Sequence, residues 1–326
     1  MPIKHEITEK ENLNLCIEGK KPAWLPSFYD ATYTVSPAPL DRRATEKTGH
    51  IVDIFGVEFT STEDGPVPFS NLTQDFDLKD ITKWREIIPD IDLKAIDWES
   101  EAARIKSAAP TDRMLNYQGG PVWEQLHYMM GFEGALLALL EESDAVSECL
   151  NALADFWIEA MRHICKYMKP DMVVFGEHMA TGNGPLMSPA TYREVIKPVH
   201  KRMFGAVREL GAYGVIHCDG YIEPFLMDFV EIGIQALQPF QIFNDINRLK
   251  EEHKIMAIGG WDCFGRGNMS DSTEEEVRDS VRIAMDTFSP GYRYAFQQGG
   301  AAPRYKQNSV WLADEASKYG KTFYQD

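Results

Sequence analysis

From residue 113 onward the chain alternates short apolar runs with longer stretches in which apolar residues recur every three or four positions. The first kind suits a strand buried on both faces, the second the apolar stripe of a helix. Residues 113–117 predict a short strand, and residues 122–141 a long helix interrupted near Gly131. A second helix runs over residues 144–167, with Val146, Leu150, Leu153, Phe156, Trp157, Met161 and Ile164 at helical spacing. MVVFG is the next strand. Ser188 before Pro189 is a helix start, because serine caps free N–H groups and proline tolerates the first turn; that helix ends at Leu210, before Gly211. The strands YGVIH, QALQP, KIMAIGG and RYAFQ follow, separated by helical stretches over 222–232 and 244–252 and by one opening on STEEEV, with a last helix over 308–319. Acidic residues in the first turn of STEEEV favour a helix N-terminus there.

Residues 1–110 are irregular, with stretches such as DGPVPFSN between short apolar runs. PAWLPSFY serves as a first strand, and one more must come from the neighbourhood of DIFGVEF. With six strand–helix units counted after it, this pattern predicts a parallel sheet closed into one (βα)8 TIM barrel spanning residues 1–326, with an irregular N-terminal segment. No G-x-G-x-x-G follows an early strand and no Walker A sequence occurs, which argues against an open nucleotide-binding sheet.

Composition adds exclusions. Hydrophobic residues at 44% and charged residues at 25% are ordinary for a globular chain. The net charge of −17 repels polyanions, so neither nucleic acid nor an anionic membrane surface is an expected partner. The N-terminus lacks an apolar leader, and the five cysteines are an odd number. A cytoplasmic location without disulfides is the expectation. A homodimer is a further expectation.

Barrels carry their chemistry just beyond the C-terminal strand ends. The candidates are Asp30 and Tyr33 after PAWLPSFY, Glu177 and His178 after MVVFG, His217, Cys218 and Asp219 after YGVI, and Gln238 after QAL. Trp261, Asp262 and Cys263 follow AIGG, and Gln297 and Gln298 follow RYAF. Every strand leaves the core through polar residues, so position alone makes no site. The residue types do more: two histidines, two carboxylates and a cysteine close two consecutive strands, and such groups bind metal or pass protons. Residues two apart in an extended segment share a face, so His217 and Asp219 suit one ion while Cys218 faces elsewhere; alternatively Cys218 is a ligand and the loop bends. Glu177 and His178 would supply the remaining ligands. Asn183, in ATGNGPLMSP, either stabilises a turn or faces substrate.

The segment GEHMATGNGPLMSPATYREVIKPVHKRMFGAVRELGAYGVIHCDGYIEPFLMDFVEIGIQALQP resembles the uroporphyrinogen decarboxylase superfamily, which includes cobalamin-dependent methyltransferases. The likeness extends through AIGGWD and TEEEVRDSVR and back to VWEQLHYMMGFEGALLALLEE. It implies a (βα)8 barrel. The arginine-rich segment that grips tetrapyrrole carboxylates in true decarboxylases is missing: FYDATYTVSPAP has no arginine before Arg42. Methyltransferase relatives hold zinc through His-x-Cys and a later cysteine. Here His217 matches the histidine, Asp219 stands at the first cysteine position, Cys218 is shifted by one, and the later cysteine is missing, its place falling near Gln297 and Gln298. The resemblance therefore implies a corrinoid-dependent methyltransferase moving a methyl group from a small methylated substrate, an O-methyl ether by preference. The acceptor is cobalamin on a partner corrinoid protein. Glu177, His178, His217 and Asp219 carry the chemistry, and any metal, zinc by the family's habit, rests on Glu177, His217, Asp219 and Cys218. A metal-free site with Glu177 or His178 as general acid is the variant reading. Tyr29, Tyr33, Phe55 and Trp261 would line an aromatic pocket, with Asp30, Asn183 and Gln297 at the substrate. Alternatives are a decarboxylase of a smaller acid, with Asp30 as its acidic group, and a barrel that only binds a ligand.

Overall fold

The structure, a computed structural model, describes residues 6–44, 51–62, 65–298 and 305–324. Seven parallel strands form one sheet: β1 (Thr32–Val35), β2 (Met114–Gln118), β3 (Met172–Gly176), β4 (Tyr213–His217), β5 (Ala236–Phe240), β6 (Met256–Gly260) and β7 (Tyr294–Gln297). Their spatial order is their chain order. Closure comes from the segment ahead of β1: Ser27 bridges Phe296 in parallel, and the Phe296 N–H donates to Pro26 at 2.9 Å. The two ends of the sheet thus meet, and the fold is a (βα)8-type barrel whose eighth position is this one bridge.

Alternation along the strands sorts side chains into two layers. Met114, Met172, Val174, Val215, Ala236, Met256, Ile258 and Ala295 point inward and pack on Leu13, Cys16 and Ile17 of α1 (Glu9–Glu18). The Lys10 N–H donates to Asp112 O at 2.8 Å, just ahead of β2, so α1 seals the end of the barrel where the strands begin. Outward residues such as Val173, Phe175, Ile216, Leu237 and Phe296 pack into a second core shared with the surrounding helices. These include α2 (Trp98–Ala108), α3 (Trp123–Glu141), α4 (Ser143–Tyr167), α5 (Lys197–Glu209), α6 (Leu226–Ile232), α7 (Ile246–His253), α8 (Glu274–Phe288) and α9 (Lys306–Thr322).

Three expectations are revised. PAWLPSFY is not a strand beyond the Ser27 bridge: Phe28–Ala31 coils into a short helix, and β1 begins at Thr32. Pro22 and Pro26 cannot donate to a ladder, which keeps that segment out of regular pairing. DIFGVEF joins a separate antiparallel sheet of Arg43–Ala44, Ile51–Val52, Glu58–Thr62 and Gly65–Pro68. Its turn is made by Asp53, whose Oδ1 accepts the N–H groups of Phe55 and Val57, each at 2.9 Å. The helix expected from Ser188 is capped as foreseen, the Thr191 N–H donating to Ser188 Oγ at 3.0 Å, but a π-helical turn over Tyr192–Ile196 precedes α5. Pro198 lacks an N–H and crowds the preceding turn, which accounts for the widened helix there. The interruption near Gly131 is present as a kink inside α3, with φ of 74°. Among the described residues no helix is long and apolar enough to cross a membrane.

Candidate active site

Strands β3 and β4 lie side by side with Gly176 opposite His217, and the Glu177 N–H donates to His217 O at 2.8 Å. This register brings the polar ends of both strands to one rim. His217 follows Val215 on the inward face, and Asp219 comes two residues later. The His178 ring is held between two carboxylates: Nδ1 lies 2.7 Å from Glu124 Oε2 and Nε2 lies 2.8 Å from Asp219 Oδ2. His217 Nε2 is 3.4 Å from the same Asp219 oxygen. Glu124 sits in the first turn of α3, and one turn further on the Tyr128 hydroxyl donates to its other oxygen.

Above this cluster opens a cavity of about 620 Å³, with Arg42, Asp53, Gln118, Glu124, His178 and His217 in its wall. The Arg42 guanidinium lies over the Phe59 ring at 3.7 Å and 5.8 Å from that of Tyr128, and Gln125 Nε2 donates to Asp53 at 2.9 Å.

Burial by itself favours a neutral His178 ring, but the hydrogen bonds to Asp219 and Glu124 outweigh it and push the pKa up to about 10. Burial likewise favours a protonated Asp219, and the bonds from His178 and His217 overcome it, holding the carboxyl well below its usual range. Without a bound ion the cluster is thus an imidazolium between carboxylates.

One donor atom from each of His178, His217 and Asp219 lies within 4.8 Å of the others, close enough to share an ion. Asp219 Oδ1 is buried and has no hydrogen-bond partner among the described residues. With His178 Nε2 on an ion, the Glu124 carboxylate on Nδ1 would be the outer partner that fixes the ring of a metal-bound histidine. The residues therefore fit a divalent ion that accepts nitrogen and oxygen donors, not a thiolate-rich one.

The remaining candidates scatter. The Glu177 carboxylate is fully buried and accepts the N–H groups of Val122, Trp123 and Glu124 at 2.7, 3.0 and 3.2 Å. It caps α3 instead of joining the donor group. Cys218 is also fully buried, packs outward with the helix-facing core, and has its thiol pushed up by burial. Alternation put Cys218 on the other face from His217 and Asp219, as one of the two sequence readings had it. Asp30 precedes β1 and lies near Ser317, Glu9, Arg113 and Lys321, on the side of the barrel that α1 seals. Tyr33 packs with the outer core. Asn183 is exposed in a tight hairpin, where its N–H donates to Thr181 Oγ1 at 3.2 Å. Trp261 turns outward to donate to Ser280 Oγ on α8 at 2.8 Å, and Phe55 packs against Phe156 and Trp157 of α4. Gln297 does face inward, where it meets Gln238 and Tyr29.

Sequence reasoning missed the partnership of His178 with Glu124, and missed Tyr128, Arg42 and Asp53 as cavity residues. The spacing of four between Glu124 and Tyr128 was a usable signal, since such residues share a helix face. Arg42 and Asp53 lie in the irregular segment, where no periodicity points them anywhere.

A closed parallel barrel with imidazole and carboxylate groups on the rim beyond its strand ends is the architecture of a (βα)8-barrel protein with its binding site at the mouth. More narrowly, the chain belongs to the family described as Uroporphyrinogen decarboxylase (URO-D), whose profile matches residues 51–299. Among solved structures it is similar to a methyltransferase from Methanosarcina mazei, with a TM-score of 0.62 over 96% of this chain and 99% of that one at 12% identity. That likeness is one of fold. A dihydropteroate synthase from Xanthomonas albilineans aligns over 52% of this chain and 59% of its own, at 11% identity and a TM-score of 0.34. No curated protein matches the sequence.

Proposed function

We propose that the protein is a methyltransferase that moves a methyl group from a small O-methylated substrate to the cobalt of a corrinoid carried by a partner protein. The observation that carries this reading is the convergence of His178, His217 and Asp219 within 4.8 Å beneath the cavity. Family membership and the cobalamin-dependent branch that the sequence resembles supply the reaction class; the nitrogen and oxygen donors favour an oxygen leaving group over a thiol.

An ether oxygen leaves poorly unless it is protonated or bound to a Lewis acid. His178, His217 and Asp219 would hold a divalent ion such as zinc, which supplies Lewis acidity toward that oxygen when bound. Glu124 accepts from His178 Nδ1 and fixes the ring, and Tyr128 fixes Glu124 in turn. Arg42 and Gln118, in the cavity wall, orient the body of the substrate. In the transfer the methyl–oxygen bond breaks, Co(I) contributes the electron pair of the new methyl–cobalt bond, and the departing oxygen takes up a proton.

The test combines elemental analysis with turnover. Purified protein should carry about one divalent ion per chain, and His217→Ala should lose it. With a Co(I) corrinoid and a panel of methyl ethers, methylcobalt absorbance should grow with the wild type and stay flat with the variant. Absence of both metal and methylcobalt across the panel sinks the reading.

One observation favours a second reading. Arg42 borders the cavity with no ion pair within 4.0 Å among the described residues, Asp53 and Glu124 acting on it from further off, and a substrate carboxylate in the cavity would find it there. A decarboxylase of a small acid would use it so, and would release carbon dioxide with no need of cobalt.

A further inference from the structure

Two buried amides on the inward face of the barrel have polar atoms with no partner among the described residues: both Oδ1 and Nδ2 of Asn116, and Oε1 of Gln238. Asn116 is 0% and Gln238 1% exposed. Two other buried amides, Asn12 and Asn244, use both their donor and their acceptor in holding backbone. Asn12 donates to Trp24 O at 2.9 Å and accepts from the Ala23 N–H at 2.7 Å. Asn244 donates to Gly220 O and accepts from the Ile222 N–H, each at 2.9 Å. Leaving a buried amide unpaired is destabilising, yet Asn116 and Gln238 have unpaired atoms, on strands that carry a cavity residue or pair in register with one.

On β2, Asn116 alternates with Met114 on the inward face and is followed there by Gln118, which lines the cavity. On β5, Gln238 alternates with inward Ala236 and pairs in register with His217, another cavity residue. Gln238 is also held in position. Its Nε2 donates to Gln297 Oε1 at 2.9 Å, and Gln297 Nε2 donates to the Tyr29 hydroxyl at 2.7 Å. Turning both amides over reverses these bonds and still leaves one polar atom of Gln238 unpaired.

We propose that Asn116 and Gln238 read the body of the substrate, which therefore carries hydroxyl or amide groups in addition to its reacting methyl group. The nature of the reacting group rests on the function proposed above; the need for hydrogen-bonding groups on the ligand does not. A purely apolar ether would leave both amides unpaired and is discriminated against for that reason.

Asn116→Leu and Gln238→Met replace each amide by an apolar side chain of similar size. In the substrate-free protein each variant should melt at the wild-type temperature or about 1–3 °C above it, because an unpaired buried group has been removed. With 2-methoxyphenol and methoxybenzene as probes, the wild type should show the larger thermal shift with the hydroxylated compound, and both variants should lose that preference. In turnover, KM for 2-methoxyphenol should rise about tenfold, the equivalent of one hydrogen bond, with kcat little changed and KM for methoxybenzene within about threefold of wild type. A drop of several degrees in the substrate-free melting temperature of both variants would show the amides to be structural and overturn the proposal, as would a wild type that does not distinguish the two probes. Hydroxyl-selective binding without any methyl transfer would retain the proposal and sink the methyltransferase reading alone.

Discussion

His127 shows what burial does to a titratable group beside the mouth. It is 4% exposed, stacks on Phe132 with ring centroids 4.0 Å apart, and its Nε2 has no partner among the described residues. Burial first, and the neighbouring His178 charge second, lower its pKa from 6.5 to about 3. The unfolded chain takes up a proton at the ordinary value while the folded one refuses it. The stability at stake is therefore whole above pH 6.5 and drains away as the pH falls toward about 3. The drain approaches about 1.4 kcal/mol per pH unit. Urea titrations at pH 7, 6 and 5 should show His127→Phe losing less stability on acidification than the wild type, whereas parallel curves would refute the assignment. His178 titrates the other way, and the contrast marks what a single chain can disclose. Strand alternation was enough to place His217 and Asp219 on one face. The same alternation, carried from Met172 and Val174, puts His178 and not Glu177 on that inward face; what no strand records is that α3 would claim the Glu177 carboxylate.

At the scale of elements the Glu177 carboxylate and α3 form one unit. The first N–H groups of a helix have no partner inside it and carry partial positive charge, and here three of them converge on one buried carboxylate. Removing it strands all three, so Glu177→Ala should cost on the order of 3 kcal/mol or more, with Glu177→Gln recovering part of the loss. Chemical denaturation of both variants checks this; a Glu177→Ala protein as stable as the wild type would contradict the capping role. Any activity lost on the way would arise because Glu124, in the first turn of the same helix, no longer holds His178. Most elements were legible because their periodicities are strong: the strand at MVVFG and the helix after STEEEV lie where their patterns put them. The exceptions follow from competition between neighbours. DIFGVEF has strand character, but Asp53 turns it back on itself into a hairpin that a barrel cannot use.

For the whole molecule, the decisive contacts join parts of the chain that are far apart. The first helix supplies Leu13, Cys16 and Ile17 to an inner core whose other members come from six strands and from the short helix Phe28–Ala31. No local pattern announces this, since α1 lies in the stretch whose pattern is irregular, and the closing contact at Ser27 is a single residue. The barrel was therefore readable as a class while its seam and its plug were not. Leu13→Ala removes a fully buried side chain from the plug and should cost about 2–5 kcal/mol, seen as a lower urea midpoint. A midpoint within error of the wild type would mean that α1 packs loosely and the seal is dispensable.

The Ser27–Phe296 bridge also sets a schedule for synthesis. A ribosome delivers the first helix and the seam residue long before their partner on the last strand exists, so the emerging chain holds an open curl with its apolar lining exposed. Closure is a terminal event, and until it happens this protein is in the state in which chaperones have the most to shield.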